Sequence, residues 1–363
     1  MNNKTPLFHI TRRLDIPFSR AIVIRVIAII LAFALCGIVT TVLTGENPFD
    51  VYSSIFNGAF GSSRKIWVTG QNTAILLLVA LALAPAFRMK FWNLGGDGQV
   101  LIGCTASAAV LIYLADFMPS WLLTITAGIA AVVAGAIWGF IPAFFKAKWN
   151  TNETLFTLMM NYVATQLAAF CIVSWAKTGS GTLGILNQNT EAGWLPQLGN
   201  KYLLIILVAL VITVLMFIYM RYTKQGYEIS VVGESERTAR YIGIKVDRVI
   251  IRTMIISGAL CGLTGYLLVC GNDHTLTTSL VNGRGFTAVI VAWLAKFNPF
   301  VMIITSLLIA FLDRGSNQIT TSLGLNSAFG DILTGIILFF IIGCEFFINY
   351  KITFRKSEKK EVA

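Results

Sequence analysis

The sequence predicts an all-α polytopic integral membrane protein with about ten transmembrane segments, some short or interrupted, in two pseudo-repeated halves. Three observations lead there. Hydrophobic residues make up 56% of the 363-residue chain and charged residues 12%, against about 25% charged in a soluble domain. The apolar runs are continuous and about twenty residues long, which suits helices and not the alternating strands of a barrel. The net charge of +11 is placed where one face of a membrane would be, as the positive-inside rule requires.

The charges fall in clusters. Lys4, Arg12, Arg13, Arg20 and Arg25 lie before or at the start of the first apolar run, and Lys351, Arg355, Lys356, Lys359 and Lys360 follow the last. Arg88, Lys90, Lys146, Lys148 and the segment 221–252 supply most of the remainder. This distribution divides the chain into a basic cytoplasmic start (1–20), a transmembrane domain (21–350) and a basic cytoplasmic tail (351–363). It also excludes a nucleic-acid footprint, because the cations mark one membrane face. The basic start leads into a long apolar run without a small-residue cleavage site, so it reads as an uncleaved first span.

The spans follow in order: 21–44, 72–87, a shorter 100–114, 121–145, 154–175, 202–220, 250–270, a short 285–295, 299–312 and 329–350. Residues 177–201, rich in Gly, Asn and Gln, form an outside loop. Ten segments return the chain to its starting side, so both termini are expected in the cytoplasm. Two turns resemble each other. Asn93 to Gly98 precedes the third segment, and Asn282 to Gly285 precedes the eighth; each is Asn, then glycines with one charge. Paired interruptions of this kind mark pathways in transporters, although ordinary interfacial turns have the same composition.

The polar segment 221–252 lies between two membrane-length runs. From Ser235 it suits a helix of eight residues: Ser235 caps it, Ala239 and Ile242 share a face, Arg237 and Arg240 a neighbouring one, and Gly243 ends it. A helix this short needs a surface to dock on, which suggests a plug for a partner's groove; the competing reading is a solvated connection.

Other chemistry is hard to place. Residues 98–105 have the glycine spacing of a phosphate loop, but Cys104 stands in the lysine's place. His9 and His274 are the only histidines, and the six cysteines lie in or at the ends of apolar runs without metal-ligand spacing. Gly135 and Gly139, and Gly258, Gly262 and Gly265, suit close helix packing. Asp313, Asp331 and Glu345 are acids near or inside late spans, without the mid-span run expected of a proton-coupled carrier.

The stretch Phe91 to Gly103, with Asn93, Gly95, Asp97, Gly98 and Gln99, resembles the signature Asn-Ile-Gly-Ala-Glu-Gly-Gln of permease subunits of ABC importers for nucleosides and simple sugars. Four further segments are similar to that family in the same order: Asn152 to Tyr162, Ala239 to Ile244, Ser257 to Leu263 and Gly285 to Pro299. Asp97 replaces the usual Glu and Gly96 the usual Ala, while Arg284 adds a cation beside the second turn. The resemblance implies a second related permease, an ABC ATPase subunit that holds ATP and Mg, and an extracytoplasmic substrate-binding protein, in a bacterial plasma membrane. This chain itself would hold no cofactor.

It further implies that Gly233, Glu234, Arg237, Ala239, Arg240, Tyr241 and Ile242 form the coupling site for the ATPase, Tyr241 and Ile242 giving apolar contact and the arginines rim charge. Asn93, Asp97, Gln99, Asn161 and Asn282 would meet hydroxyl or base edges of the solute, with Trp92 or Phe286 as stacking surfaces; Asp97 is alternatively a helix cap. The runner-up reading is a secondary carrier of a small polar solute driven by an ion gradient.

Overall fold

In a computed structural model the described residues are 8–13, 17–176, 182–324 and 327–354. The expectations for Lys4, Arg355, Lys356, Lys359, Lys360 and residues 177–181 lie outside them. The described chain is helical apart from one pair of short strands. Among the described residues nine helices are long and apolar enough to cross a membrane, and Arg284–Leu294 is a shorter apolar one. The all-α polytopic expectation therefore holds.

The chain divides into two compact units, 1–62 with 311–363, and 63–310. In the first, α1 (Phe18–Thr44) packs along α13 (Ser327–Asn349). Between the spans expected at 21–44 and 72–87 stands α2 (Pro48–Phe60), a helix too short to cross a membrane. Asn47 caps it by accepting from the Phe49 N–H, Pro48 occupies its first turn, and Val51, Ile55, Gly58 and Ala59 turn inward. α12 (Pro299–Leu323) runs beyond the expected end at 312. A Cβ on Gly315 would lie 2.4 Å from Ile55, so close packing on α2 holds the polar half of α12 helical. The chain ends are not bare tails: β1 (Phe8–Arg12) pairs antiparallel with β2 (Tyr350–Phe354), Thr11 opposite Lys351.

The second unit is built on α3 (Ser63–Arg88), α4 (Gly96–Tyr113), α5 (Ser120–Trp149) and α10 (Val246–Leu268), the last continued by a π-helical turn, Val269–Asp273. α3 begins nine residues before the expected 72 because Thr69, Gln71 and Thr73 are buried; the Thr73 hydroxyl donates to the Thr69 carbonyl at 2.8 Å. Polar residues that find partners inside continue a helix where hydropathy falls. α5 and α10 approach closely: a Cβ on Gly258 would stand 2.2 Å from the Gly135 oxygen, and one on Gly262 2.1 Å from the Ala131 oxygen. The unit is completed by α6 (Glu153–Trp175), α7 (Leu203–Tyr222), α8 (Lys224–Glu234), α9 (Glu236–Tyr241) and α11 (Arg284–Leu294).

Candidate functional site: two crossed turns and an exposed helical tip

The first turn forms where α3 ends. Lys90 takes a left-handed conformation (φ 62°), and the Phe91 N–H reaches back to the Ala86 carbonyl at 2.9 Å. Asn93 is fully buried, its Oδ1 accepting from the Gly95 N–H at 3.0 Å. Its amide nitrogen donates to Gln99 Oε1 and to Ser257 Oγ, each at 3.4 Å. Asn161 on α6 braces the same turn twice: its Oδ1 accepts from the Gly98 N–H and its amide donates to the Leu94 carbonyl, both at 2.8 Å. Thr157, one turn earlier, accepts from the Leu94 N–H at 3.1 Å.

Asn93, Gln99 and Asn161 thus spend their polar atoms on the backbone and on one another. In this conformation they brace the turn: non-helical backbone inside a membrane protein must have its N–H and C=O groups satisfied by protein, and these side chains do that.

The two glycine turns meet. Asp97, in the first turn of α4, accepts from the Gly285 N–H at 2.7 Å. A Cβ on Gly285 would lie 2.5 Å from the Asp97 nitrogen, and one on Gly96 3.3 Å from the Gly285 Cα. Asp97 is therefore a cap, but of α11 and not of its own helix, with its charge at the positive end of α11. Arg284 reaches Asn72 on α3 at 3.5 Å, and its charge acts on Asp97 and on Asp273. Two helix starts, two carboxylates and a guanidinium so converge inside one unit.

The open residues lie around this crossing. Asn282, in a left-handed conformation (φ 50°), and Phe286 are exposed. Trp92 is half-exposed and stacks on Trp293 at 5.6 Å between ring centroids, with Phe87 edge-on to both. Sequence reasoning missed Asn72, Thr157, Ser257 and Trp293. Thr157 was legible as the residue one helical turn before Asn161; Asn72, Ser257 and Trp293 carry no local signal. Among the described residues no group of three or more His, Cys, Asp or Glu is placed to hold a metal.

Within the polar segment 221–252, α8 precedes the short helix expected from Ser235, which is α9. Thr223 caps α8 by accepting from the Gly226 N–H at 3.1 Å, and Ser235 caps α9 by accepting from the Thr238 N–H at 3.2 Å. Gly243 takes a φ of 85°, and the Ile244 N–H closes back on the Ala239 carbonyl at 2.9 Å. Tyr241 is 92% exposed and Ile242 51%. Glu234, Arg237 and Arg240 are exposed beside them, Arg240 lying 3.7 Å from Asp247.

Two expected contact residues are placed elsewhere. Ala239 is fully buried, in a core with Ile229, Val246 and Met254, so it does not share an outer face with Ile242. Gly233 is also buried: a Cβ there would lie 2.1 Å from the Arg88 oxygen, where α8 crosses the end of α3. An ion pair between Glu228 and Arg252 at 3.0 Å ties α8 to α10. The exposed tip is thereby fixed to both α3 and α10.

Known proteins share this plan. Residues 70–342 match the family described as the permease component of the branched-chain amino acid transport system. A guanosine ABC transporter permease of Bacillus subtilis is 30% identical over 88% of this chain and 92% of its own length. A nucleoside ABC transporter permease of Lactococcus lactis is 30% identical over 94% of this chain and 92% of its own. A glucose ABC transporter permease of Haloferax volcanii is 26% identical over 90% and 88%. With more than half of its residues matched to that family, and with such relatives along nearly its full length, the chain belongs to the branched-chain amino acid transport permease family, as a membrane-spanning permease subunit of an ABC importer.

Proposed function

We propose that this subunit carries nucleosides inward, as one of two related permeases that together enclose the pathway. The observation that carries the solute class is the 30% identity to the guanosine and nucleoside permeases over 88% and 94% of the chain. Simple sugars are the competing solute, favoured by the glucose permease at 26%. Energy comes from a separate ATPase that binds ATP and Mg and receives α9 in a surface groove; an extracytoplasmic binding protein delivers the solute. Both chain ends face the cytoplasm of a bacterial cell.

In this reading Tyr241 and Ile242 are the contact, and Glu234, Arg237 and Arg240 the charged rim, because these side chains are exposed. Closure of the ATPases moves the tip, and α8 passes the motion to α3 through the Gly233 crossing and to α10 through Glu228 and Arg252. α3 and α4 flank the Asn93 turn, whose neighbour Asp97 holds the start of α11. Trp92, Asp97, Asn282 and Phe286 are the solute-facing residues, with Asn93, Gln99 and Asn161 holding the turn.

The test is uptake of labelled guanosine and glucose by cells carrying the complete transporter. Guanosine uptake that stops when Tyr241 and Ile242 are both replaced by Ala, with the permease present at normal level, is the expected result. Uptake of glucose alone would overturn the solute. Uptake that persists without ATP under an imposed ion gradient would restore the carrier reading.

A further inference from the structure

On the unit containing the chain ends, α1 and α13 enclose a groove of about 870 Å³. Ile24, Ile27 and Leu31 form one wall and Phe340, Gly343 and Phe347 the other, each set at helical spacing. Ile27, Leu31 and Phe347 are each at least half exposed, at 51%, 51% and 53%. Seven residues of helix rise roughly 10 Å, against a hydrocarbon depth of roughly 15 Å for one leaflet, half of the bilayer core. The groove is thus shorter than one leaflet is deep, and a single leaflet contains it.

Its mouth is polar. Arg13, just after β1, and Tyr350, where α13 passes into β2, line the end nearest the paired strands. The Arg13 Nε is buried and has no hydrogen-bond partner among the described residues. A buried donor without an acceptor costs stability that a bound acceptor would recover, and a guanidinium fork matches a phosphate. Arg20 and Lys351 are exposed near this end, adding positive charge of the kind that anionic leaflets attract.

We propose that this groove is a binding site for one anionic phospholipid of the leaflet bordering the two chain ends, its acyl chains between α1 and α13 and its phosphate on Arg13. An apolar occupant, whether a neutral lipid tail or a helix of a neighbouring subunit, fills the walls but leaves the Arg13 donor without an acceptor. The anionic headgroup satisfies both parts of the site. Gly343 forms an open stretch of wall, since a Cβ there would meet nothing within 4 Å; a larger side chain at that position enters the groove without disturbing the packing of α13.

The assembled transporter, purified in mild detergent and stripped of lipid, is titrated with phosphatidylglycerol and with phosphatidylcholine, following thermal stability and bound lipid by native mass spectrometry. Phosphatidylglycerol is expected to bind and raise Tm, and phosphatidylcholine to do neither. Arg13→Gln should weaken phosphatidylglycerol binding about tenfold or more, the size of one charge-assisted hydrogen bond. Gly343→Leu should abolish binding while leaving Tm without lipid unchanged. Equal effects of both lipids, unchanged binding by Arg13→Gln, or cross-linking of Gly343→Cys to a neighbouring subunit in the intact complex would overturn the proposal.

Discussion

His274 closes the long loop onto the end of α10. Its ring stacks on Trp194 with centroids 3.8 Å apart, and its carbonyl accepts from the Leu186 N–H at 2.7 Å. Burial, the leading cause, pushes the ring below the ordinary histidine value. Lys201 acts in the same sense, and Asp273, Glu191 and the Val269 carbonyl oppose it. Because the folded value lies below the unfolded one of about 6.5, the unfolded loop takes up the proton first. The stabilisation is therefore complete above about pH 6.5 and is lost as pH falls toward the folded value. Protection of the Leu186 amide, its exchange rate taken relative to the intrinsic one, should fall as pH drops below about 6.5, and His274→Gln should remove that fall; an equal pH response in both would refute the assignment.

Asp97 separates capping from solute contact. Asp97→Asn keeps an acceptor for the Gly285 N–H, so stability should change by less than about 1 kcal/mol; Asp97→Ala leaves that N–H without its acceptor and should cost about 1–3 kcal/mol. Thermal unfolding of the two variants in detergent measures the difference, and uptake by the stable Asn variant reports any role of the charge in transport. The sequence located this turn but could not assign its side chains to bracing or to solute contact. Asparagines among glycines fit a solute site or a backbone brace equally well, and only distant partners separate the two: Ser257 on α10 for Asn93, and the Leu94 and Gly98 backbone for Asn161.

At the scale of elements, length and hydropathy located every span, and they failed where partners replace hydropathy. α2, α8 and the early part of α3 are polar enough to read as loops, yet each is held by a cap or by buried threonines. The α5–α10 crossing was legible from its glycines, although spacing alone gave no partner. At this crossing Gly258→Ala puts a methyl group 2.2 Å from the Gly135 oxygen, so one helix must shift; overpacking of this kind costs about 1–3 kcal/mol or more. Gly335→Ala on α13, where a Cβ meets nothing within 4 Å, should be neutral or stabilise by up to about 1 kcal/mol through helix propensity. Equal melting temperatures for the two variants would contradict the crossing.

At the scale of the whole chain, two features support the proposal that both ends lie on one side of the membrane: β1 pairs with β2, and the nine long helices of the described residues make ten crossings with the short helix Arg284–Leu294. They are separate arguments, one from counting and one from register. Thr11 and Lys351 are direct partners across the strands, and antiparallel partners have Cα atoms about 4.5–5.5 Å apart, within the span of a disulfide. Thr11→Cys with Lys351→Cys should therefore cross-link when membranes are treated with a mild oxidant. The six native cysteines do not confuse the result: five are buried and Cys171 is half-buried on α6, so peptide mapping identifies the new bond. In separate single variants, a membrane-impermeant thiol reagent should label both positions in inverted vesicles and neither in intact cells. Cross-linking with labelling from outside would keep the fold and reverse its orientation, and with it the assignment of α9 to a cytoplasmic ATPase. Labelling of the two positions from opposite sides would require an odd number of crossings and would remove the pairing of the ends altogether.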